Sequence, residues 1–294
     1  MKVRPVCASC LFERANYEAD LVLANDEEKI RFLKELMKYA SENFDIDATP
    51  AKIGTERERI LVRISGNEDP YLELKRSSNE IAVKLLDIAK KAYEQSQDRL
   101  KMLLTIAAAG NSMEYGVKGH NFDHTAFRSE FENLLREPIT GNVEDVLNRI
   151  KNASKILYLT DNAGEIVFDL FFIEELIEMG KEVIISPKSS PILNDATVDD
   201  VNEFADFDIQ IIPTGSFVGF SPDEADPDFL EHLWNEDYLV IAKGMGNYEV
   251  ISEFETELSG RLIYILRAKC APVADSIGVN QGNLVAMLVN EGGV

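Results

Sequence analysis

Apolar residues in the first half of the chain recur at the spacing of amphipathic helices. Residues 26–44 carry apolar side chains three and four positions apart, which predicts a helix with one buried face. Ser77 and Glu80 have the spacing of a capping box, so we expect a long helix to begin there. Its apolar periodicity continues over residues 81–109 and should end at Gly110. The first half is therefore predicted to be mainly helical.

The second half changes to short apolar runs that are rich in β-branched residues, as is typical of buried strands. Five such runs occupy residues 156–159, 182–186, 209–213, 238–242 and 262–266. Helical patterns lie between several of them, notably at residues 166–179 and 198–204. Strands that alternate with helices imply βαβ units, so we predict an α/β fold with a mainly parallel, Rossmann-like sheet that helices cover on both faces.

This change of pattern predicts a division of the chain near residues 138–152. We expect residues 1–140 to form a mainly helical region that packs on the rest, and residues 141–294 to form an α/β domain. A chain of 294 residues with 45% hydrophobic content is long enough for one large domain or two smaller ones.

The net charge of −22 narrows the classes of partner. A surface this acidic repels phosphate, so we expect neither nucleic acid nor an anionic membrane to bind it. No apolar stretch approaches the roughly 20 residues that span a bilayer, and the N-terminal segment lacks a signal-peptide apolar region. We therefore expect a cytoplasmic protein. A small anionic substrate can still bind where a metal and lysines invert the charge locally.

Residues that carry chemistry follow the predicted strands. Asp161 and Asn162 follow the first strand, Asp195 lies in the loop after the second, and Lys243 and Lys269 follow the fourth and fifth. The carboxyl ends of parallel strands lie at one edge of a sheet, and ligands bind there in open α/β folds. We therefore expect these side chains to converge on one crevice.

Asp161, Asn162 and Asp195 offer the oxygen ligands that a hard divalent cation prefers. They could hold one Mg²⁺-like ion and leave coordination positions open for water and a substrate oxygen. A plainer alternative stays open at each position. The Asp161-Asn162 pair could form a turn with a helix cap, and Asp195 could cap the helix that follows.

Lys243 and Lys269 suit the neutralisation of phosphate oxygens, so the set as a whole favours metal-assisted phosphoryl transfer. Gly244 would let backbone amides approach an anion closely. Each lysine could instead be a solvated residue at the end of its strand. The segment KGMGNYE also resembles a partial GxGxxG dinucleotide motif, but Glu249 stands in place of the third glycine.

Asn111 and Glu114 directly follow the apolar helix that should end at Gly110. They could reach the crevice from the helical half and contact the substrate. The alternative is a helix C-cap followed by an ordinary loop.

Cys7 and Cys10 form a CxxC motif beside a predicted helix start. The motif could be half of a metal site, a redox pair, or two small packed residues. Cys270 could supply a third metal ligand if the N-terminus folds back over the strand ends. Three cysteines, an odd number, do not form a disulfide framework.

Seven short motifs together resemble the damage-control phosphatase family, formerly described as domain of unknown function eighty-nine. They are CxxC at 7–10, DPY at 69–71, GNSMEYG at 110–116, DNAGE at 161–165, NDAT at 194–197, KGMGNYE at 243–249 and AKCAPVA at 268–274. The motifs occur in the family's order and span nearly the whole chain. The CxxC motif resembles the microbial branch of the family.

The resemblance implies an α/β/α sandwich with a helical N-terminal portion, and a phosphatase that needs a divalent metal (Mn, Co, Ni or Mg). Its substrates would be small phosphorylated metabolites, such as sugar phosphates or phosphopantetheine-type compounds. Carried over by motif, the metal ligands would be Asp161, Asn162 and Asp195, and the phosphate contacts Lys243 and Lys269. Glu165 and Asn247 would lie close by. Glu114 departs from the family, which often has Asp there.

Two other functions stay open. A eukaryotic branch of the family has been described as a carboxyl methyltransferase, which would use S-adenosylmethionine. The usual glycine-rich loop for that cofactor does not follow the first predicted strand. The chain could also be a non-enzymatic protein that binds a metal or a metabolite.

Overall fold

The computed structural model describes residues 1–112 and 124–290. The helices are α1 (Pro5–Val22), α2 (Asp26–Asn43), α3 (Pro50–Ser65), α4 (Leu72–Gln95), α5 (Arg99–Gly110), α6 (His124–Leu134), α7 (Val143–Asn152), α8 (Glu165–Glu178), α9 (Val198–Phe204), α10 (Pro227–Trp234), α11 (Gly244–Ile251) and α12 (Ala271–Ile277). None of the described helices is long and apolar enough to cross a lipid bilayer.

A seven-stranded mixed sheet forms the centre of the fold, with the strand order β1-β7-β6-β5-β2-β3-β4. Its strands are β1 (Ile139–Thr140), β2 (Lys155–Leu159), β3 (Glu182–Ser186), β4 (Gln210–Ile211), β5 (Tyr238–Lys243), β6 (Leu262–Arg267) and β7 (Leu284–Leu288). The five strands that the sequence predicts, β2 to β6, are all parallel to one another. The two strands missed from the sequence lie together at one edge, where β7 runs antiparallel to β6.

Both faces of the sheet are apolar, as expected for parallel strands covered by helices. Along β2, Ile156 and Tyr158 face the core formed with α4, α5, α7 and α8. Leu157 and Leu159, which alternate with them, face a second core formed with α10, α11 and α12. Each fully buried side chain of this kind contributes about 1.5–3 kcal/mol to folding. The predicted α/β fold is confirmed as three layers.

The helical half contains two corrections to the sequence-based expectations. α4 begins at Leu72, so Ser77 lies inside the helix and does not cap it. The long helix predicted over residues 81–109 is two helices, because the chain leaves α4 after Gln95 and Asp98 caps α5 by accepting a bond from the Lys101 amide. The predicted end at Gly110 is correct.

The helices before residue 140 pack in two different ways. α1, α2 and α3 surround a core of their own, centred on buried residues such as Phe32 and Leu61. α4 and α5 instead share the core of the sheet through residues such as Leu85 and Leu104. The division at residue 140 stays a prediction. α4 and α5 both reach from the helical half to the strand ends.

Candidate active site at the ends of the parallel strands

The topology brings the three predicted metal ligands together. Asp161 and Asn162 follow β2, and Asp195 lies in the loop between β3 and α9. Asn162 and Asp195 pair across an isolated antiparallel bridge, and the Ala196 amide donates a hydrogen bond to the Asp161 carbonyl at 2.8 Å. Residues more than thirty positions apart in the sequence thus form one wall of the crevice.

Two carboxamides hold one oxygen of the Asp161 carboxylate. The Oδ2 atom of Asp161 accepts hydrogen bonds from Asn111 at 2.9 Å and from Asn162 at 2.6 Å. The same two side chains donate to Oε2 of Glu165, at 2.7 and 3.2 Å. Two hydrogen bonds to the Asp161 side chain thus converge on its Oδ2 atom.

Negative charge is in excess around Asp161. Burial raises the pKa of the Asp161 carboxyl well above its ordinary value, and the neighbouring carboxylates of Glu165 and Asp195 raise it further. Lys269 and the hydrogen bond from Asn111 act in the opposite direction. A divalent cation bound between Asp161 and Asp195 would offset this charge. The two carboxylates fit a hard metal ion. The amide oxygen of Asn162 already accepts a hydrogen bond from Asn194 at 2.7 Å, so it would have to bind the ion through its second lone pair.

Lys243 is fully buried and has three hydrogen-bond acceptors around its ammonium group. It forms salt bridges with Glu165 and, at 2.6 Å, with Asp169, and it donates to the Ala107 carbonyl at 3.1 Å. Burial lowers the pKa of this lysine, but Asp169 and Glu165 raise it by more. A direct contact between Lys243 and phosphate would require the loss of one of these bonds, so its position favours a supporting role.

Gly244, the first residue of α11, lies against the Asp161 carboxylate. Its φ of +74° is in the left-handed region, and a Cβ atom here would stand 1.8 Å from Oδ2 of Asp161. The first amides of a helix have no partner within the helix. The start of α11 is therefore close enough to the carboxylate to form part of an anion-binding wall.

Asn247 of α11 joins the ends of β2 and β5 beside the crevice. Its side-chain amide donates to the carbonyls of Thr160, at 2.9 Å, and Lys243, at 2.7 Å. Its Oδ1 is buried and has no hydrogen-bond partner among the described residues. A buried oxygen of this kind suits a proton donor on a bound ligand.

Asn111 lies in the site as expected, but its side chain forms hydrogen bonds with other residues of the protein. It is completely buried, it donates to Asp161 and Glu165, and its Oδ1 accepts from the Arg267 amide at 3.0 Å. This places it as a group that orients carboxylates. Glu114, the other residue predicted to reach in from the helical half, lies outside the described residues.

Two charged side chains of the site were missed in the sequence. Asp169 lies one helical turn after Glu165, and a lone acidic residue within the apolar run of α8 is the signal that could have found it. Lys188 stands two residues beyond β3, a position equivalent to that of the other strand-end lysines.

Lys188 supports the loop that carries Asp195. Its ammonium group donates to the Gly219 carbonyl and to Thr214 Oγ1 at 3.3 Å, and lies 3.7 Å from Oδ2 of Asp195. Burial lowers the pKa of Lys188, and the charge of Asp195 acts against that change. The lysine thus joins the Asp195 loop to the strand ends beside it.

Cys7, Cys10 and Cys270 are all free thiols that influence one another electrostatically. Burial is the main reason that the pKa of Cys270 rises to about 11, which makes its thiolate scarce near neutral pH. Within the described ranges, no three His, Cys, Asp or Glu side chains are grouped so that they could hold a metal. This applies to the three thiols and also to the crevice, where Asp161 and Asp195 offer two carboxylates. The metal role and the redox role of the thiols both stay predictions.

Comparison with known proteins identifies the family to which the chain belongs. The family described as the damage-control phosphatase ARMT1-like domain matches residues 3–285. A damage-control phosphatase of Archaeoglobus fulgidus is 35% identical over 98% of this chain and 100% of its own. One from Pyrococcus horikoshii is 31% identical over 98% of each chain.

A solved structure supports the same relationship at the level of the fold. The crystal structure of a DUF89 family protein from Pyrococcus horikoshii superposes with a TM-score of 0.86 at 30% identity. The match covers 99% of this chain and 100% of that one. The resemblance carried by the seven short motifs is thus confirmed along the whole sequence, and the chain belongs to the damage-control phosphatase family.

Proposed function

We propose that this protein hydrolyses the phosphate monoesters of small metabolites with the help of a divalent cation, Mn²⁺, Co²⁺, Ni²⁺ or Mg²⁺. Two relatives of nearly equal length are named damage-control phosphatases, which supports phosphatase activity in this chain. The observation that carries the metal dependence is the buried pair Asp161 and Asp195, two carboxylates from separate loops with excess negative charge between them. Such a pair favours a cation.

Asp161, Asn162 and Asp195 are the residues that would hold the ion. A divalent cation in this position polarises a phosphate oxygen and makes water a better nucleophile at neutral pH. Asn111 keeps the Asp161 carboxylate oriented by donating to its Oδ2. Because Oδ2 of Asp161 is held by this hydrogen bond, the orientation of Oδ1 is fixed as well.

Lys269 and Lys243 have different proposed roles. Lys269, whose charge acts on Asp161, would neutralise the phosphate oxygens. Lys243 neutralises Glu165 and Asp169 behind the site, so that these carboxylates do not repel an anionic substrate. The amides at the start of α11 would add donors for the phosphate. The substrate class is a small phosphorylated metabolite, because the acidic protein surface disfavours polyanions such as nucleic acid.

The first test is phosphate release by metal-stripped protein from p-nitrophenyl phosphate and from a panel of sugar phosphates, with each divalent metal added back. We expect release only with metal, and its loss in chelator. Asp161→Asn should lower the rate by more than about 100-fold, since even an outer partner of a metal ligand is worth about 10–100-fold. Asp226→Asn is the matched control, because Asp226 caps α10 through the Asp228 amide.

Three results would contradict the proposal. Equal turnover in chelator would show that the reaction does not depend on a metal. Undiminished turnover by the Asp161 variant would show that the active site lies elsewhere. No release with any metal, together with intact metal binding, would favour a binding protein. Calorimetric binding of S-adenosylmethionine would then favour the methyltransferase.

A further inference from the structure

The predicted metal ligands come from two loops that are separate in the sequence. Asp161 and Asn162 lie on the loop between β2 and α8, and Asp195 lies on the loop between β3 and α9. Backbone hydrogen bonds of the Asn162–Asp195 bridge join the two loops. Whatever else fixes the relative position of these loops also fixes the distances between the ligands.

Asn79 of α4 is bonded to both loops. Its Oδ1 accepts a hydrogen bond from the Gly164 amide at 2.5 Å, two residues after Asn162. Its Nδ2 donates to Oδ1 of Asp200 at 2.8 Å. Asn79 is only 3% exposed. Its bond to Gly164 is buried, and its bond to the half-buried Asp200 is partly shielded from water.

Asp200 carries this connection to the Asp195 loop. Its Oδ2 accepts hydrogen bonds from the amide and the hydroxyl of Thr197, each at 2.8 Å. Thr197 stands two residues after Asp195 and begins α9 as its N-cap. The path from Asn79 to the Asp195 loop therefore consists of one side chain and one helix cap.

The backbone at Gly164 is shaped for this contact. Its φ is +78°, and a Cβ atom would stand 2.9 Å from the Cβ of Ser78, the residue before Asn79. Only glycine lets α4 approach the Asp161 loop this closely. The contact is thus a close fit between α4 and the loop.

We propose that Asn79 is a positioning residue that sets the spacing between the Asp161-Asn162 pair and Asp195. The inference rests on the proposed metal-dependent function. A side-chain amide supplies an acceptor for Gly164 and a donor for Asp200 at the same time, and Asp in its place would have no donor and would face a second carboxylate. Asn79 itself lies behind the ligands and does not touch the metal.

The test exchanges the two partners. In Asn79→Asp the bond between the side chains is lost, because two carboxylates then face each other. In Asp200→Asn the new amide has one oxygen and cannot accept from both Asn79 and the Thr197 amide, so one of these two bonds is lost and the connection from Asn79 to the Asp195 loop is broken. The double variant restores it with the direction reversed, since the amide at 200 can donate to the carboxylate at 79. Mn²⁺ affinity of metal-stripped protein, measured by calorimetry, and the melting temperature are followed in all four proteins.

We expect each single variant to bind Mn²⁺ about 10–100-fold more weakly, as is typical for the outer partners of metal ligands. The double variant should return to within a few-fold of wild type. Asn142→Asp is the matched control. Asn142 also uses both halves of its amide, donating to the Leu288 carbonyl at 2.9 Å and accepting from the Leu288 amide at 2.8 Å, but it joins α7 to β7. The Asn142→Asp variant should therefore have a lower melting temperature and an unchanged affinity for Mn²⁺.

The outcomes separate this inference from the proposed function. Single variants that melt earlier but bind Mn²⁺ as wild type does would overturn the positioning role and leave the metal site standing. A double variant as weak as the single ones would also overturn it. Wild-type protein that does not bind Mn²⁺ or another divalent cation would overturn the metal site and this inference together.

Discussion

Gly244 and Asp161 lie so close together that no side chain fits between them. A Cβ atom on Gly244 would stand 1.8 Å from Oδ2 and 2.2 Å from Cγ of Asp161. The same Oδ2 atom accepts the hydrogen bonds of Asn111 and Asn162. The start of α11 therefore limits where the carboxylate can lie, and the two asparagines hold it there.

Gly244→Ala should abolish phosphatase activity and weaken metal binding at least about 100-fold, because the Cβ atom displaces the Asp161 carboxylate. Gly260→Ala separates this clash from backbone strain. Gly260 has a similar φ of +75°, but a Cβ atom there would meet nothing within 4 Å. Both variants should lose some stability by thermal melting, and only the first should lose activity. Equal activity in both would contradict the placement of Asp161.

Lys243→Met should destabilise the metal-free protein by about 3–5 kcal/mol in urea unfolding, because it leaves Glu165 and Asp169 buried without their cation. Lys29→Met removes a surface pair with Asp20 and should change stability little. A Lys243 variant as stable as wild type would show that another group neutralises the two carboxylates.

Lys269→Met should weaken substrate binding. Loss of a charge-assisted contact worth about 1.5–3 kcal/mol should raise KM for p-nitrophenyl phosphate about 10-fold or more. Lys269→Arg keeps the charge and should recover most of the affinity. Because the charge of Lys269 also acts on buried Asp161, the melting temperature should fall, but by less than in Lys243→Met, which leaves two buried carboxylates without their cation. An unchanged KM in the Lys269→Met variant would show that Lys269 does not bind the phosphate.

Glu58 of α3 should make stability depend on pH. Burial, with the nearby carboxylates of Glu18 and Asp69, raises its pKa from 4.5 to about 8. Between these values the folded protein keeps a proton that the unfolded chain releases, so stability falls as pH rises, by at most about 1.4 kcal/mol per pH unit. Glu58→Gln should make this slope shallower in urea unfolding between pH 5 and 8. Part of the slope should remain, because burial also raises the pKa values of Asp161 and Asp169. Glu42→Gln, an exposed change on α2, should leave the slope intact. A slope in the Glu58 variant that equals the wild-type slope would contradict the assignment.

The alternation of apolar runs and helical patterns predicted the parallel part of the sheet well. The strand at residues 182–186 and the helix at residues 198–204 have the predicted bounds. β1 and β7 were missed. β1 has only two residues and no apolar run around it, unlike β4, whose two residues lie within the predicted run at 209–213. β7 is a run of five buried residues that could have been recognised. The capping-box spacing at Ser77 did not mark a helix start, because α4 begins at Leu72 and Ser77 lies in its second turn.

The sequence by itself determined which residues reach the strand ends, because strand positions depend on local periodicity, and acidic, amide and lysine side chains follow those positions. The tertiary structure decided which of these side chains face one another. Lys243 could be read as a phosphate contact until α5 and α8 supplied three acceptors around it. Asn79 had no signal at all, since its role comes from α4 packing against two loops distant in sequence. Such pairings depend on long-range packing, which no local pattern of residues records.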